Sequence, residues 1–278
     1  MKNITIICLM LLQSFAFGQK TFQGILEYEV TVRIDVERIR MNSSNPDAVA
    51  NIPDVFNYTE KLHVNGNYAK QERVISFGGF GGFGGGRTNP NAQQQQNRFR
   101  RMIPETFWDF TNKKVATVMS VPRDSVNMDK YVIESDVKAN PDIKEDKKTK
   151  KILGYNCKKA TLKTADDTYT IWYTTELGFT YSPMSQSGSA MMRMGGGGGR
   201  GANNNVPQMP AIVIDNAVIL AVEGTDIGFE VKKIDKVDVD LESVKIPEDA
   251  KKVTQEEFTE IMKQRRGNYQ RMMGGSRN

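Results

Sequence analysis

The segment Gly24 to Ile34, GILEYEVTVRI, alternates apolar and polar side chains. Successive side chains of a strand point to opposite faces, so such a segment buries one face and wets the other, whereas a helix would smear the same pattern around its circumference. The reading recurs at short intervals. Tyr58 to Val64 and Asn67 to Ile75 flank Asn65-Gly66, a dipeptide that accepts positive φ at both positions and predicts a two-residue hairpin turn. Thr106 to Phe110 and Val115 to Val121 are separated by a turn at Asn112-Lys113-Lys114, and Lys130 to Ser135 adds a short strand. Ile152 to Glu176 reads as one hairpin with Asp166-Asp167 in its turn, where Asp is favoured for its own backbone hydrogen bonding. Two further strands are expected at Ala211 to Glu223, with a bend, and Gly228 to Val237. Strands so closely spaced and joined by tight turns require an antiparallel sheet or half-barrel, so the expected fold class is mainly β.

Two segments break the pattern. Phe77 to Arg87, FGGFGGFGGGR, leads through Asn89-Pro90 into the run Gln93 to Gln96, and Ser185 to Asn205 contains MMRMGGGGGRGANNN. Such compositions bury too little apolar surface to offset backbone entropy, which predicts mobile inserts at 77–104 and 185–206. The first lacks the Lys-Ser/Thr and the strand-to-helix setting of a phosphate loop. Met41 to Asp54, broken by Asn45-Pro46 and Pro53, reads as a loop. Near the end, Thr254-Gln255-Glu256-Glu257 has the form of a capping box and predicts a helix over Gln255 to Arg265, with Phe258, Ile261 and Met262 on one face and Gly267 as its stop. With the inserts set aside, the 278 residues hold one β domain at 19–246, followed by a helix and basic tail at 247–278.

Met1 to Gly18 has the three parts of a secretory signal: Lys2, an apolar run from Ile4 to Phe17, and the small-x-small site Ala16-Phe17-Gly18. The apolar run is short of the roughly 20 residues that a spanning helix needs, so the mature chain is expected to start at Gln19 and not to be an integral membrane protein. The implied location is the periplasm, the outer membrane's surface or the exterior. Export removes Cys8 and leaves Cys157 as a lone thiol in an oxidising compartment, expected to be buried in the sheet, unpaired and unreactive to mild alkylation.

Several residues of the hairpin carry a resemblance. Ile152, Gly154, Tyr155, Cys157, Lys159 and Ala160, then Trp172, Tyr173, Thr174 and Glu176, then Pro210 in the apolar stretch Gln208-Met209-Pro210-Ala211-Ile212-Val213, are similar to the motifs of the GLPGLI family of exported Bacteroidota proteins. Where that family shows its name motif, this chain keeps only the proline and the apolar pattern. The resemblance implies a curved, bowl-like antiparallel β structure, similar to the domain found at the start of some exported glycosidases, and implies no reaction. Within the hairpin, Tyr155 and Cys157 are expected to face the core alongside Ile171 or Trp172, with Lys159 at the sheet margin, its stem buried and its ammonium in water.

Catalytic sets are sparse. His63 is the only histidine, which leaves a Ser-His-Asp or Cys-His arrangement dependent on it, and one His with one Cys falls short of the three or four ligands of a zinc site. Its strand position beside a hairpin turn makes it a sheet-face residue. Glu27, Glu29 and Glu176 are the carboxylates from which a glycosidase-like acid/base pair would be drawn. Met191, Met192 and Met194 are candidate thioether ligands for Cu(I), against which stand Arg193, Arg200 and five consecutive glycines. Asp124-Ser125-Val126 matches a short O-glycosylation pattern of Bacteroidota proteins, with Ser125 as the acceptor. The net charge of +5 is spread, as in KEDKKTKK at Lys144 to Lys151, which reads as solvated surface, and no aromatic-studded basic face points to nucleic acid. No catalytic residue and no cofactor is assigned. The expected role is an envelope protein that binds an apolar ligand or an envelope or outer-membrane partner; the alternatives are a carbohydrate-active hydrolase using carboxylates, a structural surface protein, and a Cu(I)-binding protein.

Overall fold

The computed structural model describes residues 21–37, 41, 53–74, 103–123, 127–183 and 209–274. The expected export signal, almost all of both Gly-rich segments with Met191, Met192 and Met194, and Ser125 lie outside the described residues.

Strand β1 (Gln23–Arg33) lies near the middle of one open sheet. Its even-numbered residues Leu26, Tyr28, Val30 and Val32 are buried, and its odd-numbered ones face outward, as the alternation requires. On one side the chain runs outward through β2 (Val55–Asn65), β3 (Tyr68–Val74), β4 (Glu105–Asp109), β5 (Lys114–Pro122) and β6 (Met128–Asp136). It then crosses to the far edge and returns through β7 (Lys144–Ile152), β8 (Tyr155–Lys163), β9 (Thr168–Thr174), β10 (Val218–Glu223) and β11 (Ile227–Asp235), which pairs antiparallel with β1. The two-residue β12 (Lys251–Lys252) adds a parallel strand outside β6, giving twelve strands among the described residues.

The crossing forces curvature. Laid flat, the strands from β6 to β7 would span about 48 Å. The link 137–143 can reach at most about 29 Å between its flanking residues. The sheet therefore curls until its two ends approach, which makes a bowl with a concave face. Val137 and Ile143 of that link pack against the main core, and Asn140 donates from its backbone N to Val213 O (2.9 Å) and from its side chain to Ala211 O (2.8 Å). Leu177, Phe179 and Tyr181, with Ile212, Val213 and Ala217, fill the concave face against Leu26, Tyr28 and Trp108.

The C-terminal residues strap the outside of the bowl. After β11, Asp238 and Val239 accept hydrogen bonds from Gln23 and Asn65, at 2.6 and 2.7 Å. Ile246 and Ala250 then cover Phe107, Ala116, Val118 and Val132, which alternate with the inward-facing Trp108 and Val115 and so belong to the convex face. The chain next pairs with β6 as β12 and turns inward as helix α1 (Gln255–Gly274). Its capping box forms as expected: Thr254 N donates to Glu257 Oε2 (2.7 Å) and Glu257 N to Thr254 Oγ1 (3.1 Å). Phe258, Ile261 and Met262 pack on Val121 and Tyr131.

Some boundaries differ from the sequence reading. Gly267 does not stop α1, which runs on to Gly274; one glycine costs about 1 kcal/mol, and the flanking Gln, Arg and Met residues are good helix formers. The first hairpin turns on Gly66-Asn67, one residue later than expected, with positive φ at Gly66 alone (64°), the φ pattern of a type II′ turn. Only Val218 to Glu223 of the expected strand at Ala211 is extended in the sheet. Lys144 to Lys151, read as solvated surface, is exposed except for the half-buried Lys150, and with buried Ile152 it also forms the edge strand β7. The motif glycine is a turn residue: Leu153 (φ 47°) and Gly154 (φ 88°) are the central pair of a type I′ turn joining β7 to β8.

These geometries set two glycine substitutions apart. A Cβ at Gly154 would meet nothing within 4 Å, so Gly154→Ala should cost only the left-handed backbone penalty, about 1 kcal/mol. A Cβ at Gly24 would stand 2.1 Å from the carbonyl oxygen of Asp235, where β1 meets β11, so Gly24→Ala should lower stability by more than Gly154→Ala in urea unfolding.

Candidate functional site

Among the described residues the buried set holds one acidic side chain, and it lies on the concave face. Glu60, at 0% exposure, sits on the inward parity of β2 with Tyr58, Leu62 and Val64, and its backbone neighbours across the sheet are Tyr28 on β1 and Arg73 on β3. Both carboxylate oxygens are engaged: Tyr181 OH donates to Oε1 (2.8 Å) and Arg73 Nε donates to Oε2 (3.2 Å), the Arg73 side chain being 11% exposed. Tyr181 reaches this point because its segment is pinned to the sheet, with Tyr181 N donating to Ala217 O (3.1 Å) and Ile219 N to Tyr181 O (2.9 Å).

Aromatic rings close the cluster. Tyr181 meets Trp108 edge-on at 5.1 Å between centroids and Tyr28 at 5.9 Å, and Trp108 Nε1 donates to Gln71 Oε1 (3.4 Å). The Tyr28 hydroxyl and the Gln71 amide nitrogen are buried without a hydrogen-bond partner in the protein. Burial first, and the neighbouring Glu60 carboxylate second, hold the Tyr28 and Tyr181 hydroxyls well above the ordinary value of 10.0. Burial also raises Tyr58, against the opposing pull of Arg73. All three phenols are therefore neutral at any physiological pH. With both oxygens of Glu60 bonded, this arrangement fixes the plug segment to the sheet and offers no free base to a substrate.

The residues singled out from the sequence lie elsewhere. Cys157 is at 0% exposure, and its thiol, pushed up by burial, donates to Tyr155 O at 3.6 Å. By register it shares a face with Lys159 and Trp172, while Ala160 pairs with Ile171 on the other face; Tyr155, Lys159 and Trp172 are half-buried. Lys150 Nζ lies 4.3 Å from the Trp172 ring centre, and buried Tyr173 donates to Glu145 Oε1 (2.6 Å). Glu176 accepts from the Asn156 side chain (2.7 Å) and backbone (3.2 Å) and so ties the two ends of the hairpin together. Asp167 does the work of a turn residue, accepting from Thr168 N (2.7 Å), and also clamps the next turn through Thr225 N and Oγ1, each at 2.8 Å. Pro210 is half-buried outside any strand.

Glu27 and Glu29 are on the convex face, in ion pairs with Lys61 (3.0 Å) and Lys232 (3.3 Å), and the structure does not gather them with Glu176 into an acid/base pair. His63 faces outward against Glu72 (3.2 Å). Among the described residues no group of three or more His, Cys, Asp or Glu is placed to hold a metal, and no helix is long and apolar enough to cross a membrane.

The Glu60 cluster is not among the candidates that sequence motifs offer. Its one local signal is a carboxylate on the apolar parity of Tyr58, Leu62 and Val64, which a polar-face strand residue would not occupy.

A family model described as the N-glycanase peptide, N-terminal domain, matches residues 95–191, a stretch that contains β4 to β9. Two crystal structures of PNGF-II superpose on the chain. The one in space group C2 does so with a TM-score of 0.44 and 13% identity, over 84% of this chain and 32% of that one. The one in space group P21 gives a TM-score of 0.45 and 11% identity, over 86% and 33%. The chain thus spans about a third of the length of the solved structures it matches. No curated protein matches it.

The cluster makes two quantitative expectations. Glu60→Ala removes the carboxylate that both Arg73 and Tyr181 meet and should destabilise by roughly 3–5 kcal/mol, while Tyr181→Phe removes one hydrogen bond to that carboxylate and should cost roughly 1.5–3 kcal/mol in chemical denaturation. The tyrosines set the alkaline limit. Because Tyr28, Tyr58 and Tyr181 are raised in the folded state, the unfolded chain loses their protons first, so the stability they lend is complete below about pH 10 and falls as pH rises beyond it. Ultraviolet titration should show these phenols ionising only as the fold is lost, and Tyr28→Phe should make the decline in stability with pH shallower.

Proposed function

We propose that the chain is an exported accessory domain that acts by binding a protein of the cell envelope, at the periplasmic or outer face, and not by catalysis. The observation that carries this reading is the filled concave face. The hollow where a curved sheet could hold a substrate is occupied by the chain's own segments around Leu177 to Tyr181 and Ile212 to Ala217. The one deep carboxylate there is spent on Tyr181 and Arg73. A hydrolase of the two-carboxylate kind needs a matched pair facing one sugar ring, and the outward Glu27 and Glu29 are each bonded to a lysine. An apolar ligand would have to displace the same plug.

Two similarities support an accessory role in an exported system. The hairpin residues Gly154, Tyr155, Cys157, Lys159, Ala160, Trp172, Tyr173 and Glu176 resemble the GLPGLI family, and the match over 95–191 is to a domain described as the N-terminal part of an N-glycanase. Work alongside carbohydrate chemistry, with the reaction supplied by another protein or domain, fits both. The decisive experiment is crosslinking of the full chain in its native envelope, followed by mass spectrometry, together with an N-glycan release assay on the purified protein. Repeated capture of one envelope protein and no glycan release are expected. Glycan release that Glu60→Gln abolishes without unfolding the protein would replace this reading with an enzymatic one, and recovery of the chain uncrosslinked would remove the partner.

A further inference from the structure

The two edges of the sheet are treated differently. Beyond β6 the chain lays down its own strand, with Lys251 and Lys252 in register with Tyr131 and Val132, Val253 N donating to Val132 O (3.0 Å), and the ion pairs Lys252–Glu134 (2.6 Å) and Lys130–Asp249 (3.0 Å) holding it in place. Beyond β7 no described strand follows. That edge is nine residues long, free of proline, and exposed over Lys144 to Thr149.

Its outward hydrogen-bonding groups can be assigned. Ile152 and Tyr155 close a two-residue hairpin and exchange hydrogen bonds, so the alternation of an antiparallel ladder turns the N–H and C=O of Lys150 toward Cys157 and those of Thr149 and Lys151 away from the sheet. The register shift between Glu145 and Thr149 ends this regular stretch on its other side. Lysines and a bulge on an edge commonly repel stray strands. The strand carries five lysines against Glu145 and Asp146, a net charge of +3. Glu145 is occupied by Tyr173, and Lys150 by the Trp172 ring, which leaves Lys144, Lys147, Lys148 and Lys151 exposed along the edge. A second copy of this strand would set lysine against lysine, whereas an acidic strand would bring its carboxylates beside them.

We propose that the outer edge of β7 is a docking site for an extended acidic segment of a partner protein, which adds as a further strand through the outward N–H and C=O groups of Thr149 and Lys151. Main-chain hydrogen bonds supply the attachment and the lysines supply the choice of partner. This rests on the accessory reading only in requiring a protein partner, and its test uses peptides, so failure of the envelope capture and failure of the edge are told apart.

The probe is a synthetic peptide of alternating Glu and Val, compared with its Lys counterpart, added to the full chain at low salt. The Glu peptide should slow amide exchange at Thr149 and Lys151 by about tenfold or more, with no change at Lys150, whose amide already faces β8. Binding should weaken as salt rises, and Lys147→Glu with Lys148→Glu and Lys151→Glu should reverse the preference toward the Lys peptide. Thr149→Pro, which deletes an outward N–H and leaves the ladder to β8 intact, should abolish binding. The proposal is overturned by binding with no exchange protection at these two amides, which is charge attraction alone, and by absence of binding. Protection that rises with protein concentration when no peptide is present overturns it in favour of a second copy.

Discussion

The short passage from β6 to β7 is the constraint on which the rest of the bowl depends. A meander that leaves β1 in one direction and returns to it from the other must cross the whole sheet once, and this chain allots only residues 137–143 to the crossing. A flat sheet is then impossible, because the link is shorter than the span. Curvature creates a concave face too large for the sheet's own side chains to fill, and the protein fills it with the irregular stretches that follow β9 and precede β10. The link also contributes directly, since Val137 joins the core and Asn140 holds Ala211 and Val213 from the side.

Within that face, Glu60 is a buried carboxylate whose two partners come from two different parts of the chain. Arg73 lies on the adjacent strand, but Tyr181 is 121 positions away in sequence, so the carboxylate is satisfied only once the plug segment has docked. A buried ion pair is weak evidence for net stability, because desolvation opposes the attraction; its better-attested use is to specify one arrangement over others. Here it distinguishes the seated plug from an unseated one. Ring contacts of Tyr181 with Tyr28 and Trp108 add packing that an unpaired Glu60 would forbid.

The strands were legible where one face is dry and the other wet. β1 and β2 read correctly because their alternation is a direct record of the face that the core takes, whereas in β8 the buried Cys157 and the buried Ala160 and Leu162 lie on opposite parities. β7 was hidden for the same physical reason: an edge strand exposed on most of its residues carries charge at seven of its nine positions and has no period to read. Turns were read to within a residue, since Asn65-Gly66 names the dipeptide but the flanking register decides which pair is central. The helix start was legible in Thr254 and Glu257, which bond within four residues, while its end was not, because helix propagation past Gly267 is a balance of small local terms. The Glu60 cluster is built from long-range partners, and one sequence shows only its anomaly, a carboxylate in an apolar row.

The motif residues of the hairpin change meaning once their geometry is known. Gly154 supplies a left-handed turn, Glu176 ties the hairpin ends through Asn156, Tyr173 reaches across to Glu145 on β7, and Trp172 carries Lys150 of the same strand on its ring. The turn ties β7 to β8, the Glu145 and Lys150 contacts tie β7 to β9, and Glu176 ties β8 to the end of β9. Cys157 lies beneath them, fully buried and with its thiol pushed up by that burial, which suits a packing atom and not a nucleophile. A set of residues that looks chemical in sequence is therefore spent on holding an edge strand straight and in register. An edge strand held that firmly presents its outward N–H and C=O groups at fixed spacing. Its own lysines discourage a second copy, so the rigidity that these residues provide is useful to a partner of opposite charge and to few others.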